Sequence, residues 1–328
     1  TRSQTVTGVQ TCALPILTTV TCGRWVRRTL RFRRQLRIGA RIGTVGLFVL
    51  IVVVMGSGYV AIRIGVASVP PLFLAALRFY LTAAVLLAVV VTMGRAWRPA
   101  TRADWAAVAV LGALVFAGAI GFLFVGQQHT TASTAAVVMC LGPVLTALIA
   151  RALLPDEQLS RRRVAGIGFG FLGAVVIAQP VSTGLALGTG RGVVMVLCAA
   201  ASGSLGGVLL GRLRTTAAPT VQAAWGALLG GVVLHAASVG FGEPVGAVSW
   251  TPGLLWLLLY LSVVVGGVGY VAFLVLLRTA GPTRTSLTAY ASPLVALLLG
   301  WLFLHESPTV TVLVGFALIV AGFALARR

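Results

Sequence analysis

One arginine lies inside a long apolar run, where its charged guanidinium requires a binding partner or access to water. Arg78 belongs to the run 72–91, in which every other residue is uncharged. A charged side chain deep in a bilayer costs at least about 2.5 kcal/mol. Two interpretations are open: the guanidinium binds a substrate carboxylate or phosphate, or it pairs with helix-end carbonyls or extends to the membrane interface. The first interpretation makes Arg78 a substrate-binding residue.

Three tyrosines place hydroxyl groups among apolar neighbours: Tyr59, Tyr270 and Tyr290. Ligand pockets combine apolar walls with a few polar groups, so these residues are predicted to bind substrate beside Arg78. The alternative is that each is an interfacial or packing aromatic side chain.

Two prolines fall near the middle of apolar runs, Pro143 in 132–150 and Pro293 in 285–304. Proline has no N–H group, so it leaves the carbonyl four residues earlier without its helical donor. We predict that both are helix kinks that act as hinges. Kinks that serve packing alone are the alternative, since neighbouring helices can satisfy a freed carbonyl.

The acids all fall in loops or at helix ends: Asp104, Asp156, Glu157, Glu243 and Glu306. A buried proton-relay carboxylate is therefore not predicted. His129 and His305 are candidate outer titrating groups together with Glu306, or they are separate interfacial side chains. The cysteines at 12, 22, 140 and 198 lack zinc-binding spacing, so no metal site is predicted.

Two features of the sequence argue against enzymatic chemistry. The stretch Gly168 to Gly173 reads G-x-G-x-x-G, but no strand precedes it, so no dinucleotide or other cofactor is predicted. Its glycines are instead expected to allow close helix packing. Serine–histidine and HExxH pairs at matching depth are absent from the sequence, so we predict that the protein is not an enzyme.

The composition excludes an ordinary soluble protein. Of 328 residues, 59% are hydrophobic and 9% charged, and the mean hydropathy is +1.04. The 25 basic residues are all arginine and face 5 acids, for a net charge of +20. In so apolar a chain the charge must sit in loops and tails, where it sets topology and does not indicate a nucleic-acid partner.

Apolar runs long enough to cross a bilayer recur from residue 42 onward, and about 20 helical residues suffice. They predict an all-α integral membrane protein with ten transmembrane helices, because runs of this length are too long for barrel strands. The runs are 42–62, 72–91, 105–125, 132–150, 164–178, 192–211, 221–239, 254–277, 285–304 and 310–326.

Arginine placement predicts the orientation, because arginine-rich short loops stay cytoplasmic. One set of alternate loops carries only Arg63 and Arg191. The other set, with the C-terminus, carries the arginines at 95, 98, 102, 151, 161–163, 212, 214, 278, 284, 327 and 328. Both termini are therefore predicted to be cytoplasmic, and Glu243 and Glu306 to be outside.

The chain also repeats itself. Residues 42–178 and 192–326 each hold five runs; Pro143 aligns with Pro293, and 166–173 aligns with 315–322. Each copy has an odd number of helices, so the second copy must have the opposite orientation in the membrane. Inverted repeats with matched helix interruptions are typical of secondary transporters.

Three motifs carry a resemblance to a known family. The run GSGYVAIRIGVASVPPLFLAALRFYLTAAVLL (56–87), the loop DEQLS (156–160) and YASPLVALLLGWLFLHESPT (290–309) resemble the EamA family of the drug/metabolite transporter superfamily. The resemblance implies two five-helix repeats around a central cavity and movement of a small metabolite, often outward, across the bacterial cytoplasmic membrane. Its implied partners are a small-molecule substrate and membrane lipid. A non-transporting scaffold and a channel are the alternatives, and a homodimer is left open.

The N-terminus differs from the rest of the chain. Residues 6–16, VTGVQTCALPI, resemble a translated sequencing adapter, and Met55 is the first methionine. We therefore expect 1–16 to be an artefact, and the arginine-rich 17–41 to be a cytoplasmic segment or translated upstream sequence. A chain starting near Arg41 is expected to insert and function without them.

Overall fold

The computed structural model describes residues 19–94, 96–153, 161–178, 187–280, 282–306 and 309–327. The chain forms two compact units, Thr1–Gly46 and Leu47–Arg328. In the first unit the structure describes helical backbone from Thr19 onward. All side-chain contacts discussed below lie within the second unit. The predicted artefact 1–16 lies outside the described residues.

Every apolar run predicted from the sequence lies in a helix. The helices are α1 (Thr19–Val66), α2 (Pro71–Thr92), α3 (Arg102–His129), α4 (Ala132–Met139 and Gly142–Leu153), α5 (Arg161–Ala178), α6 (Leu187–Arg212), α7 (Pro219–Gly240), α8 (252–280), α9 (Pro282–Leu304) and α10 (Val310–Arg327). No strand occurs among the residues that the structure describes. The prediction of an all-α chain is confirmed.

Eight of these helices contain segments long and apolar enough to cross a membrane, counted over the described ranges. They are α1 to α4 and α6 to α9. Within α10, Val310–Gly322 is a shorter apolar helix. The protein is thus a multi-pass helical membrane protein.

Local sequence signals explain where several helices begin and end. Proline occupies the first turn of α2, α7 and α8, where its missing N–H costs no hydrogen bond. Thr101 and Asp104 form a reciprocal capping box at the start of α3. After α2 and α7 the chain turns through Gly94 and Gly242, whose φ angles of 63° and 67° favour glycine.

Three helices depart from the regular form that the sequence predicts. The run 132–150 is not one kinked helix, because α4 is interrupted by a turn at Cys140 and Leu141. Pro143 follows directly and has no N–H to continue the helix. In addition, α3 and α8 each contain a π-helical stretch, Leu111–Ile120 and Tyr260–Val268. Such stretches widen a helix and are frequent at functional sites.

Helices α5 and α10 cross at backbone contact, and this crossing depends on glycine. A β-carbon on Gly173 would lie 2.6 Å from the carbonyl oxygen of Gly315, and one on Gly322 would lie 2.5 Å from that of Gly166. The G-x-G-x-x-G stretch therefore lies within a helix and packs against a helix, as predicted.

Candidate functional site

A central cavity of about 270 Å³ is the candidate functional site. Residues from α1, α2, α3, α4, α8 and α9 line it, and most of them are apolar. Its polar side chains are Tyr59, Arg78, Thr288 and Ser292. A small apolar chamber with few polar groups is the usual form of a small-molecule site.

Arg78 places the only charged side chain among the residues that line this cavity. The residue is 7% exposed, and its Nε atom is buried without a hydrogen-bond partner. The guanidinium carbon lies 5.3 Å from the centre of the Phe79 ring and 5.8 Å from that of Phe124. Aromatic faces attract a cation only weakly compared with a paired anion. Because Arg78 is buried and its guanidinium lies near two aromatic rings, the side chain is held inside the protein and does not extend to the membrane interface.

The backbone at Arg78 is fixed against α8. Ser262 Oγ donates a hydrogen bond of 3.1 Å to the carbonyl oxygen of Arg78, and Thr82 Oγ1 donates one of 3.3 Å to that of Ser262. Both hydroxyl groups are buried. These two bonds join α2 to the π-helical stretch of α8 and set the position from which the guanidinium enters the cavity.

The three predicted tyrosines occupy different places. Tyr59 lines the cavity beside Arg78. Tyr290 is 8% exposed in the main core, and its chain neighbour Ala289 lines the cavity. Tyr270 packs against a separate cluster around Leu86 and is not among the lining residues. The structure thus brings Tyr59 and Arg78 together and sets Tyr270 apart.

Both prolines release a carbonyl group at residues that line the cavity. The residues four positions earlier are Met139 for Pro143 and Ala289 for Pro293, and both are lining residues. The Cys140 thiol lies 3.2 Å from the Ala289 carbonyl oxygen and donates to it. Because a thiol is a weak donor, this oxygen keeps most of its capacity to accept.

The candidate outer titrating groups differ in their contacts and exposure. Glu306 accepts hydrogen bonds from the backbone N–H groups of Ala132 (3.0 Å) and Ser133 (3.3 Å) at the start of α4. His129 and His305 are exposed. The described residues show no hydrogen bond or ion pair between either histidine and Glu306. Of the other acids, Asp156 and Glu157 lie outside the described residues.

Sequence reasoning missed Thr288 and Ser292 as lining residues. They lie four positions apart on α9, so they share one helix face, and Pro293 directly follows Ser292. Hydroxyl groups spaced in this way beside a helix-interrupting proline are a signal that could have identified them. Their hydroxyls now donate to the Thr285 and Thr288 carbonyls at 2.7 and 2.8 Å.

A second cavity, of about 560 Å³, lies between α3, α6 and α7. Its lining includes the exposed apolar residues Phe122, Val233 and Phe241, which are suited to contact lipid. Its carboxylate, Glu243, is already bound to backbone N–H groups of α2. The smaller central cavity is thus the better candidate. Within the described part of the chain, no group of three or more His, Cys, Asp or Glu residues could hold a metal ion.

An apolar helical fold around a cavity with a buried cation defines a helical membrane protein with an internal cavity. The family model described as "EamA-like transporter family" matches residues 43–179 and 190–328. The chain therefore belongs to the EamA-like transporter family, whose members are membrane transporters, as the motifs suggested.

The relatives agree with this assignment. The inner membrane transporter YedA of Escherichia coli (strain K12) is 30% identical over 83% of this chain and 84% of its own length. The transporter YoaV of Bacillus subtilis is 25% identical over 85% of this chain and 96% of its own. A transporter of Archaeoglobus fulgidus is 26% identical over 83% of this chain. A crystal structure with 22% identity superposes with a TM-score of 0.59 over 87% of this chain and 96% of that one, so the two share a fold.

Proposed function

We propose that the protein is a secondary transporter that moves a small organic solute across the bacterial cytoplasmic membrane by alternating access, in the outward direction. The observation that carries the proposal is Arg78, a cation buried in an apolar chamber with an unpartnered Nε. A substrate carboxylate offers this guanidinium the anionic acceptor that the described part of the chain does not supply. As a carrier the protein needs no enzymatic step and no cofactor.

Backbone acceptors among the lining residues favour an amino-acid-like substrate. The carbonyl groups released by Pro143 and Pro293 belong to the lining residues Met139 and Ala289. Released carbonyls can accept hydrogen bonds from an ammonium group while Arg78 holds the carboxylate. In this proposal the Tyr59 hydroxyl adds a further polar contact, and Tyr290, whose chain neighbour Ala289 lines the cavity, supports the wall.

Equivalent features in the two matched segments support a ten-helix, inverted-repeat architecture. The π-helical stretches begin at Leu111 and Tyr260. The second helix of each segment begins at a proline, Pro71 or Pro219, and is followed by a left-handed glycine. Rocking of one repeat against the other would use the interruptions at Pro143 and Pro293 as hinges.

Counterflow tests the transport proposal directly. Purified protein in proteoliposomes is loaded with a metabolite chosen by its ligand-dependent thermal stabilisation, and uptake of the labelled metabolite is followed. A carrier gives exchange that saturates with substrate concentration. Flux without saturation would indicate a channel, and no flux with any stabilising metabolite would indicate a scaffold.

The orientation gives a separate prediction, tested in a background with all four cysteines replaced by serine. An impermeant thiol reagent should label Gly246→Cys, in the exposed loop after α7, from outside intact cells. It should label Arg162→Cys only after the membrane is made permeable, since arginine-rich loops stay inside. Labelling of Arg162→Cys from outside would overturn the topology with cytoplasmic termini.

A further inference from the structure

Glu243 joins the two family-matched segments at the start of α2. The carboxylate accepts hydrogen bonds from the backbone N–H groups of Leu72 (3.0 Å) and Phe73 (2.9 Å), and from Ser238 Oγ (2.6 Å). The residue before α2 is Pro70, which has no side-chain acceptor for these N–H groups. A carboxylate from a loop about 170 positions away thus caps the helix, where the helix dipole favours a negative charge.

Glu306 makes the same kind of contact at the start of α4. Besides the two backbone N–H groups of Ala132 and Ser133, it accepts a hydrogen bond of 2.9 Å from Ser133 Oγ. The acid again lies in the second matched segment, and the helix it caps lies in the first. The sequence places both acids in loops on the outer side of the membrane.

Each capped helix also carries a residue that lines the central cavity. Arg78 lies seven residues after Pro71 in α2, and Met139 lies seven residues after Ala132 in α4. Seven residues are two helical turns, about 10 Å. Each carboxylate therefore holds the outer end of a helix whose next turns reach the cavity.

A third acid makes the corresponding contact at the other side. Asp104, in the first segment, accepts hydrogen bonds from the backbone N–H groups of Thr216 (2.8 Å) and Ala217 (2.9 Å) and from Thr216 Oγ1 (2.9 Å). These residues precede α7 in the second segment. The arginine pattern puts this contact on the cytoplasmic side.

From these contacts we infer that Glu243 and Glu306 form an outer latch that keeps the cavity closed toward the outside, and that Asp104 forms an inner latch. The inference rests on the proposed alternating-access function. Movement of one segment away from the other at the outer face must break the bonds from α2 to Glu243 and from α4 to Glu306, because these donors and acceptors belong to different segments. Movement at the inner face must break the Asp104 contact. The latches thus set which side of the cavity opens.

Glutamine and asparagine variants test the latches without a large change of shape. The reporter is Ser292→Cys, a lining position, in a chain with Cys12, Cys22, Cys140 and Cys198 replaced by serine. Its rate of labelling by an impermeant maleimide is measured from outside in right-side-out vesicles. We expect Glu243→Gln and Glu306→Gln each to raise this rate by about three- to tenfold, because each weakens a charged cap.

Asp104→Asn is the counterpart on the opposite side, since it weakens the same type of contact there, together with the capping box that Asp104 forms with Thr101. It should lower the outside labelling rate by a similar factor. Gly300→Ala is a second outer variant, and it leaves every charge in place. The new β-carbon would lie 2.8 Å from Glu306 Oε2, so it should displace that carboxylate. It should act in the same direction as Glu306→Gln.

The latch inference is overturned if the outer variants leave the rate unchanged or shift it in the same direction as Asp104→Asn. Counterflow is measured on the same variants without the reporter cysteine. If the outer variants and Asp104→Asn shift the labelling rate in opposite directions but no variant exchanges substrate, the latches are supported and transport is refuted. Normal exchange with no shift in labelling would keep transport and refute the latches.

Discussion

Arg78→Lys should lower the apparent affinity for an anionic substrate by about tenfold or more, equivalent to about 1.4 kcal/mol. Lysine keeps the positive charge but loses the planar fork that binds a carboxylate through two parallel hydrogen bonds. In this cavity the effect is large because Arg78 is the one charged lining side chain among the described residues. The measurement is the concentration dependence of counterflow, normalised to the amount of inserted protein.

Arg78→Ala should reduce transport further while insertion improves or stays equal, because the cost of a buried charge is removed. Arg98→Lys is the matched control: Arg98 is exposed and its guanidinium lies 4.2 Å from the Trp97 ring centre, so transport should not change. If Arg78→Lys transports with native affinity and Arg78→Ala only fails to accumulate, Arg78 is structural. The site must then be sought at the other polar lining residues, Tyr59, Thr288 and Ser292.

The sequence predicted those features of the fold that the membrane environment alone determines. Bilayer thickness and the need to satisfy backbone groups internally make a long apolar run helical whatever its neighbours are. For the same reason a lone Arg78 among apolar residues indicated a side chain of special function, although the sequence left open whether it faces the protein interior or the membrane interface. The break in α4 was only partly predictable. Pro143 indicated that the helix is interrupted, but the sequence did not show that the turn lies at Cys140 and Leu141. In the structure the Cys140 thiol donates a hydrogen bond to the distant Ala289 carbonyl oxygen.

Features that depend on two distant segments could not be read from the chain. The sequence placed Glu243 and Glu306 at helix ends but gave no sign of the helices that they cap, which begin about 170 positions away. A helix start with no capping side chain, such as Pro70–Pro71, shows only that an acceptor must come from elsewhere. Similarly, nothing local distinguishes Tyr59, which lines the cavity, from Tyr270, which packs apart from it. Only the packing of α1 and α8 decides between them.

The α5–α10 crossing provides the prediction with the largest effect on folding. Gly322→Leu should prevent stable assembly, because even the first carbon of the new side chain would lie 2.5 Å from the Gly166 carbonyl oxygen and 3.0 Å from the Gly170 backbone nitrogen. Backbone atoms cannot rotate away as side chains do, so the two helices would have to separate. The smaller change Gly322→Ala should destabilise the protein by about 1–3 kcal/mol, the usual cost of overpacking.

Gly168→Ala is the control for this crossing. It lies on the same helix as Gly166, but a β-carbon there meets nothing within 4 Å. Alanine should therefore be neutral or should raise stability by up to about 1 kcal/mol through its helix propensity. Thermal unfolding in detergent, followed by the loss of the monodisperse peak in size-exclusion chromatography, compares the variants. Equal midpoints for Gly322→Ala and Gly168→Ala would contradict a glycine-dependent crossing. A selective loss at Gly322 would show that α5 and α10, the last helix of each matched segment, require backbone contact to hold the segments together.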